Sequence, residues 1–270
     1  MVNPPSTIRP ETADSAKPEP FRFLYFSSLA GAPAWDEASG TRIGRIRDFL
    51  IQATTPYPTV CGLELATPAG RRNIPWSAVR DLTEKAAYLA PGDPGPAPAF
   101  DFTVRRDLLR KLAVEVSSTA VVRLWDMHFV YSEGKMVLAH AETGIRGVLR
   151  ALGLEKPILA TVGRLLPAAL LKERFATFRH LQSLTVQSDG SVRIPKRILE
   201  MHPADLARVF KQLPVRWRKP VFMALSVETA ALVLREAEAR LEARLLESCP
   251  QERRDTVLKR MAALRDTSTI

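Results

Sequence analysis

A motif that occurs twice constrains the fold of this chain more than any other feature of its sequence. Residues 41–51 and 119–130 share one order of apolar, basic and acidic positions. Four residue pairs correspond at one constant spacing along the chain, which we call the repeat offset: Thr41 and Thr119, Arg45 and Arg123, Ile46 and Leu124, and Asp48 and Asp126. A β-rich unit is therefore expected to be used twice, with the other segments arranged around the two copies.

Short strands separated by turn residues are predicted for the first copy. Residues 21–26 form an aromatic strand candidate, residues 59–65 alternate between apolar and other side chains, and residues 71–82 include a strand that ends at a proline. No helical periodicity accompanies them. This pattern is typical of a small antiparallel barrel or sheet.

The second copy differs from the first by a helical insertion. Residues 143–153 have an apolar side at helical spacing and close at a glycine, and a second helical piece is predicted over residues 158–175. The barrel pattern then resumes at residues 177–184, where Phe178 and Leu184 have the same spacing as Trp76 and Leu82.

From residue 195 onwards the pattern changes to helical repeats. Leu206, Val209, Phe210 and Leu213 follow the i, i+3, i+4, i+7 spacing of one helix face, and Ser226 is a candidate cap for a later helix. The helices are short and closely spaced. This is typical of a superhelical array of helix pairs.

The predicted fold class is α+β, with two small antiparallel barrels followed by an α-superhelical domain. Six segments follow: a disordered tail at 1–20, a first barrel at 21–90, a Pro/Gly linker at 91–100, a second barrel at 101–195 with a helical insertion at 144–176, a helical repeat domain at 196–265 and a frayed tail at 266–270.

Charge and cysteine content limit the partners and the compartment. The net charge of +10 is compatible with RNA, DNA or an anionic membrane face. There is no apolar run of about 18 residues, so no transmembrane segment is predicted. Cys61 and Cys249 have no metal or redox spacing and are expected to be reduced thiols of a cytoplasmic protein.

Two sets of motifs, taken in chain order, each resemble a known family. Residues 44–50 (Gly-Arg-Ile-Arg-Asp-Phe-Leu) and 74–79 (Ile-Pro-Trp-Ser-Ala-Val) resemble a PRC-barrel. Residues 201–207 (Met-His-Pro-Ala-Asp-Leu-Ala) and the repeats after them resemble the intracellular N domain of MgtE-type magnesium transporters. The segment 144–153, which contains glycines and arginines, joins the two modules. This arrangement is similar to that of bacterial MgtE-associated proteins that lack CBS and membrane domains.

The resemblance implies a magnesium-related protein that is not itself a transporter. The transporters carry CBS domains and a helical membrane domain after this module, and no such segment follows here. Their N domain is acidic, as suits Mg²⁺ binding by oxygen ligands. By resemblance only, Asp205 and Glu228 are candidate metal ligands, although acids in a first helical turn also complement the helix dipole.

The repeated carboxylates Asp48 and Asp126 allow two interpretations. They could share a cation or perform acid–base chemistry. The favoured interpretation is structural, with each carboxylate accepting backbone N–H groups where its strand bends. Trp76 is likewise expected to mark the barrel core rather than a nucleobase platform. His128, His140, His180 and His202 lack ligand spacing and are expected to be structural or surface residues.

Six basic residues are candidates for a nucleic-acid or anion patch: Arg193, Lys196, Arg197, Arg216, Arg218 and Lys219. If they converge on one face they would bind phosphate; if they scatter they are solvated surface, which is the favoured interpretation.

The sequence thus predicts a non-enzymatic, cytoplasmic binding or regulatory module, because no catalytic constellation is present. A protein partner is favoured, with a link to magnesium homeostasis through the resemblance. One alternative is an RNA- or ribosome-associated basic adaptor, and another is a Mg²⁺ sensor. No cofactor is expected except Mg²⁺ under the last alternative. The oligomeric state is left open.

Overall fold

A computed structural model of the chain describes residues 21–96, 98–151, 154, 173–186 and 191–266. These residues form a mixed α+β structure, which confirms the predicted class. They divide into two compact units: Met1–Leu109 with Trp125–Arg179, called the sheet unit, and Arg110–Leu124 with His180–Ile270, called the helical unit. The predicted second copy contributes strands to both units.

The strands are β1 (Arg22–Tyr25), β2 (Pro33–Asp36), β3 (Arg42–Gln52), β4 (Thr59–Thr67), β5 (Gly70–Pro75), β6 (Val79–Leu82), β7 (Ala87–Leu89), β8 (Phe102–Thr103), β9 (Leu112–Glu115), β10 (Ala120–Arg123), β11 (Asp126–Ser132), β12 (Lys135–Glu142), β13 (Phe175–Thr177), β14 (Leu181–Ser183), β15 (Thr185–Val186) and β16 (Val192–Arg193). The α-helices are α1 (Phe26–Leu29), α2 (Ile145–Ala151), α3 (Lys196–Leu199), α4 (Pro203–Gln212), α5 (Val215–Ala224), α6 (Val227–Glu236), α7 (Ala239–Glu247) and α8 (Gln251–Asp266). Short 3-10 turns occupy Trp76–Ala78 and Phe178–His180, and a π-helical turn occupies Val104–Leu108.

One sheet of 11 strands forms the sheet unit, in the order β1-β11-β12-β4-β3-β2-β7-β6, with β13 on β12, β5 on β4 and β8 on β3. The sheet is strongly curled. Arg22 on its first strand donates to the carbonyl oxygen of Leu82 on its last strand at 3.2 Å and pairs with Asp81 at 3.2 Å. No closed barrel is present among the described residues, so the two predicted barrels are not confirmed.

The first strand of each copy pairs with the long strand of the other copy. In β1 and β11, Tyr25 lies opposite His128, and in β8 and β3, Thr103 lies opposite Leu50. The repeat offset relates the two pairs, because Tyr25 corresponds to Thr103 and Leu50 to His128. The copies are therefore joined by a reciprocal exchange of strands within one sheet.

The strand register also repeats. Asp48 lies opposite Glu64 between β3 and β4, and Asp126 lies opposite Glu142 between β11 and β12. Both ladders have a bulge two residues further on, after Leu50 in one copy and after His128 in the other. The offset found in the sequence is thus preserved in the hydrogen-bond register.

The predicted helical insertion is described only in part. Its first helix is present as α2. The second helical piece, residues 158–175, lies outside the described residues up to residue 172, and its last residue, Phe175, begins strand β13 instead. After β13 come a 3-10 turn and strand β14. This is the same order of elements as the 3-10 turn and strand β6 that follow Pro75.

Alternate helices stack in the helical unit: α4 contacts α6, α6 contacts α8, and α5 contacts α7. The predicted apolar stripe of α4 is fully buried in the core of this unit. His202 accepts the Ala204 N–H at 3.3 Å ahead of α4, and Ser226 accepts the Thr229 N–H at 3.0 Å ahead of α6. These caps fix short helices, and stacking supplies the buried surface that each helix lacks alone.

Candidate functional site

Five ring-bearing side chains lie together on the sheet unit, and we call this group the aromatic face. Four strands supply them: Phe23 and Tyr25 from β1, His128 from β11, His140 from β12 and Phe175 from β13. The strands are hydrogen-bonded neighbours, with β13 on the edge of β12. Side chains alternate along a strand, so the half-buried His128 points away from the core that its buried neighbours fill.

His128 lies at the centre of the aromatic face. Its ring centroid is 4.9 Å from that of Tyr25 and 5.3 Å from those of Phe23 and Phe175. His140, its cross-strand partner, is 5.6 Å away. Phe23 remains 58% exposed and Phe175 40% exposed, so the rim of the aromatic face is open to solvent.

Arginines from helix α2 border the aromatic face. The Arg150 guanidinium carbon lies 3.8 Å from the Tyr25 ring centroid, a cation–π distance. Arg150 Nη2 donates to Glu173 Oε1 at 3.1 Å, and Arg146 Nη1 pairs with the same oxygen at 3.3 Å. This anchoring holds the planar Arg150 group against Tyr25 in one orientation.

A fully buried carboxylate, that of Glu142, lies next to Arg150. Its Oε1 accepts the N–H groups of Gly144 at 3.2 Å and Arg174 at 3.0 Å. A Cβ atom at Gly147 would lie 2.2 Å from Glu142 Cγ, so a larger residue there would displace the carboxylate. Gly147 therefore has a packing role that the sequence resemblance does not reveal.

Burial shifts the pKa values of two groups, His128 in the aromatic face and Glu142 beside it. Burial lowers the pKa of His128, and the neighbouring His140 and Arg150 lower it further. Burial also raises the pKa of Glu142, against the effect of the N–H groups that it accepts. A neutral His128 keeps the centre of the face uncharged at neutral pH. The face is suited to contact apolar and aromatic groups, with arginine at one margin.

The equivalent strands around β3 form no such face, although their register is the same. The equivalents of Phe23, Tyr25, His128 and His140 are Asp101, Thr103, Leu50 and Gly62, and the residue opposite Glu64, equivalent to Phe175, is Asn73. The sheet therefore forms without rings at these positions. The strand register alone does not require rings around β11.

Asp48 and Asp126 each bind a helical turn that belongs to the other copy. Asp48 Oδ1 accepts the N–H groups of Phe49 and Arg105, each at 2.8 Å. Asp126 accepts the Met127 N–H at 2.9 Å and the Ser27 N–H at 3.0 Å, and Ser27 Oγ donates to it at 2.5 Å. Each carboxylate thus caps the turn that belongs to the other copy. These contacts match the structural interpretation rather than a shared cation site.

Trp76 lies at the surface edge of the sheet unit, half-buried. Its Nε1 donates to the Gly134 carbonyl oxygen at 2.8 Å, and its ring is 6.3 Å from that of Tyr131. The side chain joins the 3-10 turn after β5 to the β11–β12 hairpin and is not one of the buried core residues.

The two candidate metal ligands are each paired with arginine. Asp205 lies 3.4 Å from Arg208, and both oxygens of Glu228 accept hydrogen bonds from Arg260, one of them at 2.7 Å. The Arg260 hydrogen bonds lower the pKa of Glu228. The described part of the chain contains no group of three or more His, Cys, Asp or Glu residues that could hold a metal ion.

The six basic candidates have different roles. Arg218 donates to the carbonyl oxygens of Leu213 at 2.9 Å and Lys211 at 3.0 Å, and so satisfies the end of α4. Lys196 pairs with Glu200 at 3.4 Å. Four others are exposed: Arg193, Arg197, Arg216 and Lys219. Two of the six residues therefore bond or pair within the chain, and the other four are exposed.

Comparison with known proteins gives one match. Residues 201–265 match the family described as MgtE intracellular N domain. The resemblance of the helical unit to that domain is thereby confirmed, whereas no match supports the PRC-barrel. No curated protein and no solved structure matches the chain. None of the helices in the described ranges has the length and apolar character needed to cross a membrane.

Sequence reasoning missed the aromatic face. The alternating rings of β1 were visible as a strand, but the histidines were interpreted one at a time, without their cross-strand neighbours. The available signal is the repeat offset, because the residues one offset from the rings have no ring themselves: Asp101, Thr103, Leu50 and Gly62.

Proposed function

We propose that this chain is a non-enzymatic binding module that engages a protein partner through the aromatic face. The observation that carries the proposal is the difference between two equivalent strand groups. The same strand register carries five rings around β11 and none at the equivalent positions around β3. Exposed rings that the fold does not require are typical of an interaction surface.

The composition of the face favours a protein over other partners. Protein interfaces are enriched in aromatic residues and arginine and depleted in lysine and carboxylates at their centre. Phe23 and Phe175 offer exposed apolar area, and Arg150 is already desolvated and oriented by Glu173. Preorganised anchors of this kind carry most of the binding energy in protein complexes.

The helical unit supplies a second element of the module. Its similarity to the MgtE intracellular N domain supports a role in magnesium homeostasis on the cytoplasmic side of a membrane. That role is one of association and not of Mg²⁺ sensing, because Asp205 and Glu228 are already neutralised by arginines. A cation would have to displace Arg208 or Arg260 to reach them.

The proposal is tested by affinity capture from the native cell with the full chain and the double variant Phe23→Ser/Phe175→Ser, followed by quantitative mass spectrometry. We expect at least one protein to be captured by the wild type and to be depleted about tenfold or more by the variant, as expected for two interface anchors.

Leu199→Ser provides the matched control, because Leu199 is also 40% exposed but belongs to the helical unit. It should capture the same partner as the wild type. Equal capture of every protein by wild type and aromatic-face variant would contradict the proposal, provided that both variants melt cooperatively near the wild-type temperature.

A further inference from the structure

One face of helix α5 combines exposed aliphatic and basic side chains. At 3.6 residues per turn, Val215, Lys219, Met223 and Arg216 fall within an arc of about 100° on the helix surface. Val215 is 74% exposed and Met223 37% exposed, and both cations are exposed as well. We call these four residues the basic–apolar face. The opposite side of the helix carries Val221, which is in the core, and Trp217, which packs against the core; the buried Phe222 borders the face beside Val215.

The cations of this face have no stabilising role within the chain. Arg216 and Lys219 make no ion pair with the described residues. Arg216 lies in the first turn of α5, where the helix dipole opposes positive charge. By contrast, Arg218 of the same helix satisfies carbonyl oxygens of α4.

Neighbouring structure adds positive charge. Helix α5 itself has three cationic residues and no carboxylate. Strand β16 contacts α5 and ends at the exposed Arg193. Two other cations of the helical array, Lys211 and Arg260, pair with the acids Glu238 and Glu228. A convex surface of aliphatic side chains among unbalanced cations is complementary to an anionic, partly apolar surface.

We propose that the basic–apolar face docks on the surface of a membrane that contains anionic lipids. Interfacial helices place aliphatic side chains at the headgroup boundary and cations among lipid phosphates. Nucleic acid would gain from exposed rings, but the ring of this helix, Trp217, packs against the core. A protein would gain from a pocket with an aromatic or arginine anchor, which a single convex helix face does not form.

The test is co-sedimentation of the full chain with vesicles of phosphatidylcholine alone and of phosphatidylcholine with phosphatidylglycerol, over a salt series. Binding is expected only to the anionic vesicles and should weaken as salt rises. Because each basic residue near an anionic surface contributes about fivefold, Arg216→Gln/Lys219→Gln should weaken binding about 30-fold. Val215→Ser/Met223→Ser should weaken it severalfold without a change in charge.

A matched control removes the same charge elsewhere. Arg240→Gln/Arg244→Gln changes two exposed cations of α7 and should leave vesicle binding within about twofold of the wild type, since these residues lie outside the face. Equal losses in both charge variants would overturn the proposal in favour of non-specific attraction. It would also be overturned by absent vesicle binding at low salt, or by R216Q/K219Q weakening binding to a single-stranded RNA oligonucleotide but not to vesicles. Capture through the aromatic face does not involve α5, so its result is independent of this one.

Discussion

Two aspartates show how single residues tie the copies of the sheet unit together. Asp48 and Asp126 are 4% and 1% exposed, and each accepts backbone N–H groups from its own strand and from a turn of the other copy. Hydrogen bonds of backbone N–H groups to a carboxylate are stronger than neutral ones. Loss of either carboxylate would leave those buried N–H groups without an acceptor.

We therefore expect Asp48→Ala and Asp126→Ala each to lower the free energy of unfolding by about 3 kcal/mol, because two or more buried donors become unsatisfied. Urea denaturation of each variant measures this loss. Asp93→Ala, whose side chain is 80% exposed, should change it by less than about 0.5 kcal/mol. A negligible effect at Asp126 with a large one at Asp48 would contradict the equivalence of the two caps.

The ionisation of Asp126 gives a pH-dependent signature. Burial raises its pKa above the ordinary 3.8, against the hydrogen bonds from Ser27 and Met127. In the window from 3.8 upwards to the raised value, the folded protein binds more protons than the unfolded chain. The free energy of unfolding contributed by this group therefore falls as pH rises through that window, and is constant above it.

The difference in unfolding free energy between wild type and Asp126→Asn should accordingly decrease with rising pH across the window. Chemical denaturation over a pH series checks this. Glu228→Gln should give the opposite slope, because hydrogen bonds from Arg260 lower the pKa of Glu228 and its stabilisation is lost as pH falls. A difference for Asp126→Asn that grows with pH would show that its carboxyl is more acidic than we infer.

At the scale of elements, helix ends account for part of the basic charge. Arg218 donates to carbonyl oxygens at the end of α4, Arg253 to Leu225 at 2.5 Å at the end of α5, and Arg254 to Leu246 at 2.9 Å in the last turn of α7. The last carbonyl groups of a helix have no partner within it, and arginine supplies donors there. These residues serve the stacking of short helices.

Neighbouring residues of α5 should therefore respond differently to mutation. Arg218→Ala is expected to lower the free energy of unfolding by about 1–2 kcal/mol, because two carbonyl oxygens lose a charged donor. Arg216→Ala should change it by less than about 0.5 kcal/mol, since Arg216 is exposed. Thermal or urea unfolding of both variants provides the comparison. Similar losses at the two positions would contradict the assigned roles.

The sequence predicted local features better than the pairing between them. The repeat offset, the structural role of Asp48 and the stripe of α4 are evident in the structure. Two separate barrels require the strands of each copy to pair with one another, whereas β1 and β8 each pair with the long strand of the other copy. Side-chain alternation determines which face of a strand is buried, but not which strand lies beside it. The pairing of the short strand β8 with β3 therefore cannot be recognised from the sequence pattern.

The candidate site was hidden for a related reason. Phe23 and Phe175 are far apart in the sequence and lie beside the same His128 ring only because β1 and β13 flank β11 and β12. A lone histidine such as His128 indicates little until its ring neighbours are known. The candidate metal ligands were proposed by resemblance, and the sequence pattern did not show that Arg260 lies opposite Glu228.

At the scale of the whole molecule, a sheet unit with one aromatic face is combined with a helical unit similar to the MgtE intracellular N domain. We propose a role in binding and not in magnesium sensing. We expect titration of the full chain with Mg²⁺ to give no saturable heat and no shift in melting temperature, because no differential binding would stabilise the folded state. Saturable binding that Glu228→Gln abolishes would contradict this expectation.

The central claim is that the aromatic face is the binding surface. Its most direct test is the dissociation constant of the captured partner, measured by calorimetry with the wild type, Phe23→Ser/Phe175→Ser and Leu199→Ser. We predict a loss of about tenfold or more for the aromatic-face variant and less than about twofold for the control. Equal affinities for all three proteins would show that the partner binds elsewhere.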